Sequence, residues 1–146
     1  MQEPRSLQPV GAILTGLALL ALAFPGVAAA QDDDERPELT LRARPNVTFA
    51  TNAISFTGLL RGGADDHEEF YCLSAEWDWD DDTVSESIFD CEPYEPGVSE
   101  IRRRFSRRHT FQFPGRYEVR LNLKRRDDVV ASARVRVSVR GGAFPD

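Results

Sequence analysis

The sequence contains few cysteines and histidines, which are common nucleophiles, bases and zinc ligands in enzymes. Its 146 residues include two cysteines and two histidines. No serine lies in a G-x-S-x-G turn, and neither cysteine has an evident base as a partner. His67 lies within an acidic run, but position 71, where a zincin pattern needs a second histidine, is Tyr71. These absences argue against an enzyme and against a zinc site.

The sequence also has only one long apolar run, at residues 10–24. A membrane span needs about 20 apolar residues, so this run is short for one. Arg5 precedes it, Pro25 and Gly26 follow it, and residues 28–30 are three alanines. This order is typical of a signal peptide over residues 1–30, cleaved after Ala30. The alternative is an uncut signal anchor. With cleavage, we expect a secreted or periplasmic protein without a stable membrane span.

Export changes how the two cysteines are interpreted, because thiols in an oxidising compartment usually pair. We therefore expect a disulfide between Cys72 and Cys91. It would close a loop of about 20 residues, which the chain-entropy description equates to about 3 kcal/mol. Zinc ligation is the competing interpretation, but it lacks further ligands at close spacing.

Acidic and basic residues are concentrated in different halves of the sequence. Residues 31–100 contain four basic and nineteen acidic side chains, whereas residues 101–146 contain thirteen basic and four acidic ones. The two halves can neutralise each other within one domain. A basic cluster also suggests nucleic acid, but export argues against that partner and favours an anionic surface polymer or an extracytoplasmic protein.

From residue 39 onward, apolar residues recur with period two, which predicts β-strands. We expect strands near residues 39–43, 53–60, 70–80, 101–111, 116–125 and 129–140. Residues 31–38 have no apolar side chain and predict an acidic, disordered tail. Residues 141–146 form a second tail, and residues 85–100 predict a long loop that Cys91 anchors. Six or seven short strands without an amphipathic helix indicate an all-β, two-sheet sandwich over residues 39–140.

Two motifs resemble the signature of the PKD family. Residues 77–83, W-D-W-D-D-D-T, are similar to its W-D-F-G-D-G-T, and residues 109–121 are similar to its H-x-Y-x-x-P-G-x-Y-x-V-x-L. The resemblance implies an immunoglobulin-like β-sandwich of about seven strands that mediates protein interaction or adhesion without catalysis. It also implies structural roles for the motif residues, which are Trp77, Asp78, Trp79, Asp80, Asp82, Thr83, His109, Pro114, Gly115 and Tyr117.

The chain departs from this signature at the turn after the tryptophans. Asp80 and Asp82 occupy positions where the family usually has glycine, so the turn is more acidic and its backbone can differ. Tyr117 lies where a sandwich places a tyrosine corner. Together with Asp81, Asp80 and Asp82 are a weak calcium candidate, because Ca²⁺ takes six to eight oxygen ligands and the spacing is not that of a dedicated calcium loop. No other cofactor is expected.

Two sets of side chains are candidates for a binding surface. The first is basic and would take an anionic polymer, although the same arginines also fit a solvated strand face paired with acidic loops. The second is aromatic and would take a carbohydrate; Phe70 belongs to it as well. A structural spacer is the remaining alternative. The principal candidates are Phe89, Tyr94, Arg102, Arg103, Arg104, Arg107 and Arg108.

Overall fold

The computed structural model describes residues 36–142. The predicted signal peptide, most of the acidic tail and residues 143–146 lie outside the described residues. The end of the predicted tail is ordered, because Glu38 is the first residue of a strand and Arg36 contacts Glu69 at 3.0 Å. The folded domain therefore begins before residue 39.

The described chain contains eight strands and one three-residue 3-10 helix, Glu68–Phe70. They form two sheets, ordered β1-β3-β6 and β2-β8-β7-β4-β5, and only β2 pairs in parallel, with β8. This is the predicted all-β sandwich. The strands are β1 (Glu38–Arg44), β2 (Val47–Phe49), β3 (Ala53–Arg61), β4 (Ser74–Asp78), β5 (Val84–Ser87), β6 (Arg104–Thr110), β7 (Gly115–Arg125) and β8 (Asp128–Arg140).

Two of the predicted strands are shorter than their alternating patterns suggested. The strand expected at residues 70–80 begins only at Ser74, because a 3-10 turn precedes it and Cys72 has a positive φ of 55°. The strand expected from residue 101 begins at Arg104. The two strands that the sequence did not reveal, β2 and β5, have three and four residues, which is too few for a period to be recognised.

The core lies between the two sheets and is rich in aromatic side chains. Trp77 and Trp79 stack with their ring centres 5.5 Å apart, and each is at most 1% exposed. Phe56 packs edge-on against Trp79 from the opposite sheet. Such aromatic pairs stabilise a fold beyond the effect of the surface area that they bury, so Trp77 of β4 and Trp79, which directly follows β4, join the two layers.

The predicted disulfide joins Cys72 to Cys91, with the two Cα atoms 6.1 Å apart. The segment expected to be a long loop, residues 85–100, begins within β5. Hydrogen bonds connect the rest of this segment to the loop before β4. The hydroxyl of Tyr94 donates to the carbonyl of Asp66 at 2.7 Å, and the amide of Ile101 donates to the carbonyl of Asp65 at 2.7 Å. Among the described residues, no helix has the length and apolar character needed to cross a membrane.

Candidate binding face

The two PKD-like motifs meet at one corner of the sandwich. The imidazole of His109 stacks on Trp79 at 4.2 Å, and its Nε2 lies 2.7 Å from Oδ2 of Asp81. Burial raises the pKa of Asp81, but hydrogen bonds from Thr83 and His109 outweigh it and hold the pKa below its ordinary value. The corner is thus a packed and hydrogen-bonded part of the fold.

The acidic turn keeps the backbone that glycine favours, although it contains no glycine. Asp80 and Asp82 have φ values of 60° and 65°, in the left-handed region that aspartate tolerates better than most residues. Oδ2 of Asp80 accepts the amide of Glu118 at 2.8 Å, and Oδ1 of Asp78 accepts the amide of Asp80 at 3.1 Å. The side chains therefore fasten the turn to β7.

These hydrogen bonds occupy several of the oxygens that a calcium ion would need. Within residues 36–142, no three or more Asp, Glu, His or Cys side chains come together as a metal site. The expectation of no cofactor, with Asp80, Asp81 and Asp82 as a weak calcium candidate, stays a prediction.

Tyr117 forms the expected tyrosine corner. Its hydroxyl donates to the carbonyl of Phe113 at 2.8 Å, and its ring stacks on Phe111 at 4.1 Å. The ring also lies against Gly115, where a Cβ atom would come within 3.3 Å of it. The second motif therefore shapes the turn that begins β7.

The aromatic side chains that were candidates for a sugar platform do not form one. Phe70 is only 1% exposed, so its candidacy was wrong. Phe89 is half-buried against the core, and Tyr94 is half-buried beside Tyr71. The exposed aromatic side chain that the sequence analysis missed most clearly is Phe113, at 74%. It lies in the turn before β7, where no alternating pattern marked it as exposed.

The five arginines of residues 102–108 do not share one surface. Arg103 bonds to Asp65 Oδ1 at 2.8 Å and to two loop carbonyls, and Arg102 lies 4.0 Å over the ring of Phe89. Arg107 donates to Oγ of Ser87 at 2.9 Å, across the edge of the sandwich. Arg104 and Arg108 are exposed on the outer side of β6. Strand alternation thus divides the cluster between structural and exposed positions.

Arg104 and Arg108 join two further arginines on the outer face of the three-stranded sheet. The register places Arg44 opposite Ser55 and Ser55 opposite Arg108, so two arginines flank one serine. We call this surface the arginine face. It comprises Arg42 and Arg44 of β1, Ser55 and Thr57 of β3, and Arg104, Ser106 and Arg108 of β6.

The arginine face has a shallow trough along its central strand. Neighbouring strands are about 4.8 Å apart, so β1 and β6 hold their arginines about 10 Å apart across β3. Two depressions, of about 410 and 340 Å³, share Ser55, Thr57 and Arg104 in their lining. The floor consists of Ser55, Thr57 and Leu59, and the rims carry guanidinium groups.

The rim arginines have no acidic partner among the described residues. Arg42, Arg44, Arg104 and Arg108 take part in none of the ion pairs or side-chain hydrogen bonds recorded within residues 36–142. The acidic residue of this sheet face is Glu38, and it pairs in register with Arg61 at the far end. Within residues 36–142, no acidic side chain therefore compensates the positive charge of the trough.

The outer face of the five-stranded sheet shows the opposite pattern. Arg136 Nε lies 2.9 Å from Glu118, and Nζ of Lys124 lies 2.9 Å from Glu76. Hydrogen bonds from Lys124 and Asn122 hold the pKa of Glu76 below its usual value. Ion pairs thus form on the outer face of this sheet, whereas none forms at the arginine face among residues 36–142.

Arg42 and Arg44 were not among the predicted binding residues, because they lie about 60 residues from Arg104 and Arg108 along the chain. Alternation in β1 does mark them as outward-facing, since Leu41 before them is buried and Ala43 between them packs against the core. The missing information was the strand order, which places β1 and β6 on either side of β3.

No protein-family model matches this sequence, and no curated protein matches it. Among solved structures, the chain is similar to the PKD domain of an M14-like peptidase from a Thermoplasmatales archaeon, at 13% identity and a TM-score of 0.46, over 72% of this chain and 96% of that one.

The chain is also similar to the CARDB domain of a Pyrococcus furiosus protein. The crystal structure of that domain, in complex with di-metal ions, has 11% identity and a TM-score of 0.47, over 71% of this chain and 92% of that one. Its solution structure has 11% identity and a TM-score of 0.46, over 70% and 93%. The assignment of the fold rests on the strand order and on the contact between the two motifs, not on these similarities. The described residues fold as an immunoglobulin-like β-sandwich that is PKD-like.

Proposed function

We propose that this protein is an exported, non-catalytic interaction module that holds an anionic partner on the arginine face. The observation that carries the proposal is a set of four rim arginines that have no acidic partner within the described part of the chain and that surround a floor with two hydroxyl side chains. A domain that pairs Glu118 and Glu76 with cations on its other sheet leaves this set unpaired. Unpaired cations on a concave face attract anions and raise their local concentration.

Export is supported by the disulfide between Cys72 and Cys91, since such bonds persist mainly in oxidising compartments. The apolar run at residues 10–24 and the alanines before Gln31 support the same route. Sequencing the N-terminus of protein recovered from outside the cytoplasm tests this part. A first residue of Gln31 supports it, whereas an intact Met1 on membrane-bound protein contradicts it.

We expect several arginines of the arginine face to act together on one bound anion. We also expect the affinity to fall as the salt concentration rises. The exposed rims span about 14 Å along the strands and about 10 Å across them. The Debye length is about 8 Å at physiological ionic strength, so neighbouring guanidinium groups act on one bound anion together. Arginine also donates in a planar fork that matches carboxylate, sulfate and phosphate groups.

The test measures binding of the purified protein to immobilised dextran sulfate by biolayer interferometry, with neutral dextran as the reference. We expect Arg42→Gln with Arg108→Gln to weaken binding about tenfold or more, which corresponds to about 1.4 kcal/mol. The matched control is Arg116→Gln with Arg140→Gln, which removes the same charge from exposed positions on β7 and β8.

The control pair is expected to change the affinity less than about twofold, because exposed charges distant from the ligand are screened. Equal losses in both pairs would mean that net charge alone governs binding, and the proposal would be wrong. A failure of the unaltered protein to bind dextran sulfate at low salt would contradict it as well.

A further inference from the structure

We infer that the anionic partner is a linear acidic polysaccharide that lies along β3 between the two arginine rims. This inference rests on the proposed function and adds the chemical class and the orientation of the ligand. It is carried by the shape of the trough, the chemistry of its floor and the side chains that the face lacks.

The trough suits a single extended chain rather than a broad surface. Its rims are about 10 Å apart, and its length follows the strands. In register, Arg104 lies level with Leu59, Arg42 with Thr57, and Arg108 with Ser55. Arg44 is also level with Ser55, across from Arg108, so the trough carries a guanidinium group at each of three successive levels about 7 Å apart and one on both rims at the last level. This spacing suits a polymer with charged groups repeated along its length.

The floor offers hydroxyl groups that have no partner of their own. Neither Ser55 nor Thr57 makes a side-chain hydrogen bond recorded among the described residues, whereas Thr40 of β1 donates to the carbonyl of Leu59. Ser106 lies beside Thr57 on the same face. A hydroxyl both donates and accepts, so this floor complements the hydroxyl groups of a sugar.

The composition of the face argues against other polyanions. No aromatic side chain of the described domain lies on it, and single-stranded nucleic acids are held largely by stacking on aromatic rings. Its one large apolar side chain, Leu59, is half-buried, so the face lacks both the apolar centre of a protein interface and the apolar anchor of a membrane-bound surface.

The test compares two polymers that carry the same charged group on different backbones. Polygalacturonate and poly-L-glutamate are titrated against the purified protein at equal carboxylate concentration, with phosphatidylglycerol vesicles and oligothymidylate as further probes. We expect polygalacturonate to bind about tenfold more tightly than polyglutamate, which two modest hydrogen bonds to the floor would supply. The vesicles and the oligonucleotide are expected to bind no better than polyglutamate.

Variants of the floor residues distinguish recognition of the sugar backbone from attraction of the charged groups. Ser55→Ala with Thr57→Val removes both hydroxyls and should lower the affinity for polygalacturonate to that for polyglutamate, while binding of polyglutamate changes less than about twofold. The matched control, Ser138→Ala with Thr48→Val, makes the same changes on β8 and β2 and should leave both affinities unchanged. Ser55→Ala alone, at an exposed position, provides a milder variant if the double one does not fold.

Each outcome distinguishes this inference from the proposed function. Equal, arginine-dependent binding of both polymers would overturn the polysaccharide assignment and leave the anion-binding module intact. Tighter binding of vesicles or of oligothymidylate would overturn the assignment and identify that other class. Absence of binding to all four probes would contradict both proposals.

Discussion

Removing the disulfide is expected to lower the free energy of unfolding by about 3 kcal/mol. Cys72 and Cys91 are 19 residues apart, and closing a loop of that size in the unfolded chain accounts for this amount. The change is Cys72→Ser with Cys91→Ser, so that no free thiol remains. For a domain of about 100 residues, the loss corresponds to roughly 10–15 °C in melting temperature.

The folded structure explains why the loss should not be larger. The loop that contains Cys91 is also held by the hydroxyl of Tyr71, which donates to the carbonyl of Glu92 at 2.8 Å, and by the hydroxyl of Tyr94, which donates to Asp66. These contacts remain without the bridge, so the effect should come mainly from the unfolded state. We therefore expect the arginine face, on the other sheet, to keep its affinity.

Urea unfolding followed by tryptophan fluorescence measures the change, because Trp77 and Trp79 are both buried in the core. The unaltered protein in reductant provides a second measurement of the same loss. A loss below about 1 kcal/mol, or an affinity for dextran sulfate that falls with stability, would refute the reasoning.

Four further predictions follow from the turn and from the arginine face. The pKa of Asp81 in the folded protein lies below its ordinary value of 3.8, so its carboxylate stabilises the fold above about pH 4, and this contribution is lost as the pH falls through the folded pKa. Acid titration of the free energy of unfolding should show this loss. The substitution Asp81→Asn should make the loss smaller. Asp80→Gly should destabilise by about 1–2 kcal/mol because a backbone amide of β7 loses its acceptor, whereas Asp82→Gly should stay within about 0.5 kcal/mol in denaturant melts. Calcium at millimolar concentration should leave the melting temperature unchanged, since the carboxylates of Asp80 and Asp81 already accept hydrogen bonds, and a clear increase would establish a calcium site. Arg42→Gln with Arg108→Gln should raise the melting temperature by about 2 °C at low salt, and an equal rise at high salt would contradict an electrostatic cause.

The sequence predicted the parts of the fold that have a clear period or a distinctive motif. The alternation in β7 and β8 is long enough to define their faces, with Val119 and Leu121 both at 0% exposure. The motif residues were expected to be structural, and Trp79, His109 and Tyr117 do pack at the corner. Local patterns sufficed there because each residue's environment is set by its own strand.

The candidate binding face could not be predicted in the same way. The sequence drew attention to Arg102, Arg103 and Arg107 because they are adjacent to other arginines, yet each is held by a ring, a loop or a serine of the domain. The exposed partners of Arg104 and Arg108 lie in β1, and only the pairing of β1 and β6 with β3 brings them together. Proximity along the chain is a poor guide to a surface that is built across strands.

The distribution of charge links the sequence asymmetry to the proposed function. The acidic half does neutralise part of the basic half, through Asp65 with Arg103 and Glu76 with Lys124. Neither of these pairs reaches the arginine face, where like charges flank a common strand and repel one another in the free protein. An uncompensated cluster of this kind lowers stability unless a ligand neutralises it. Binding of a polyanion would remove the repulsion among the arginines. The bound domain should therefore have a larger free energy of unfolding than the free domain, and relief of the repulsion should contribute to the affinity for the ligand.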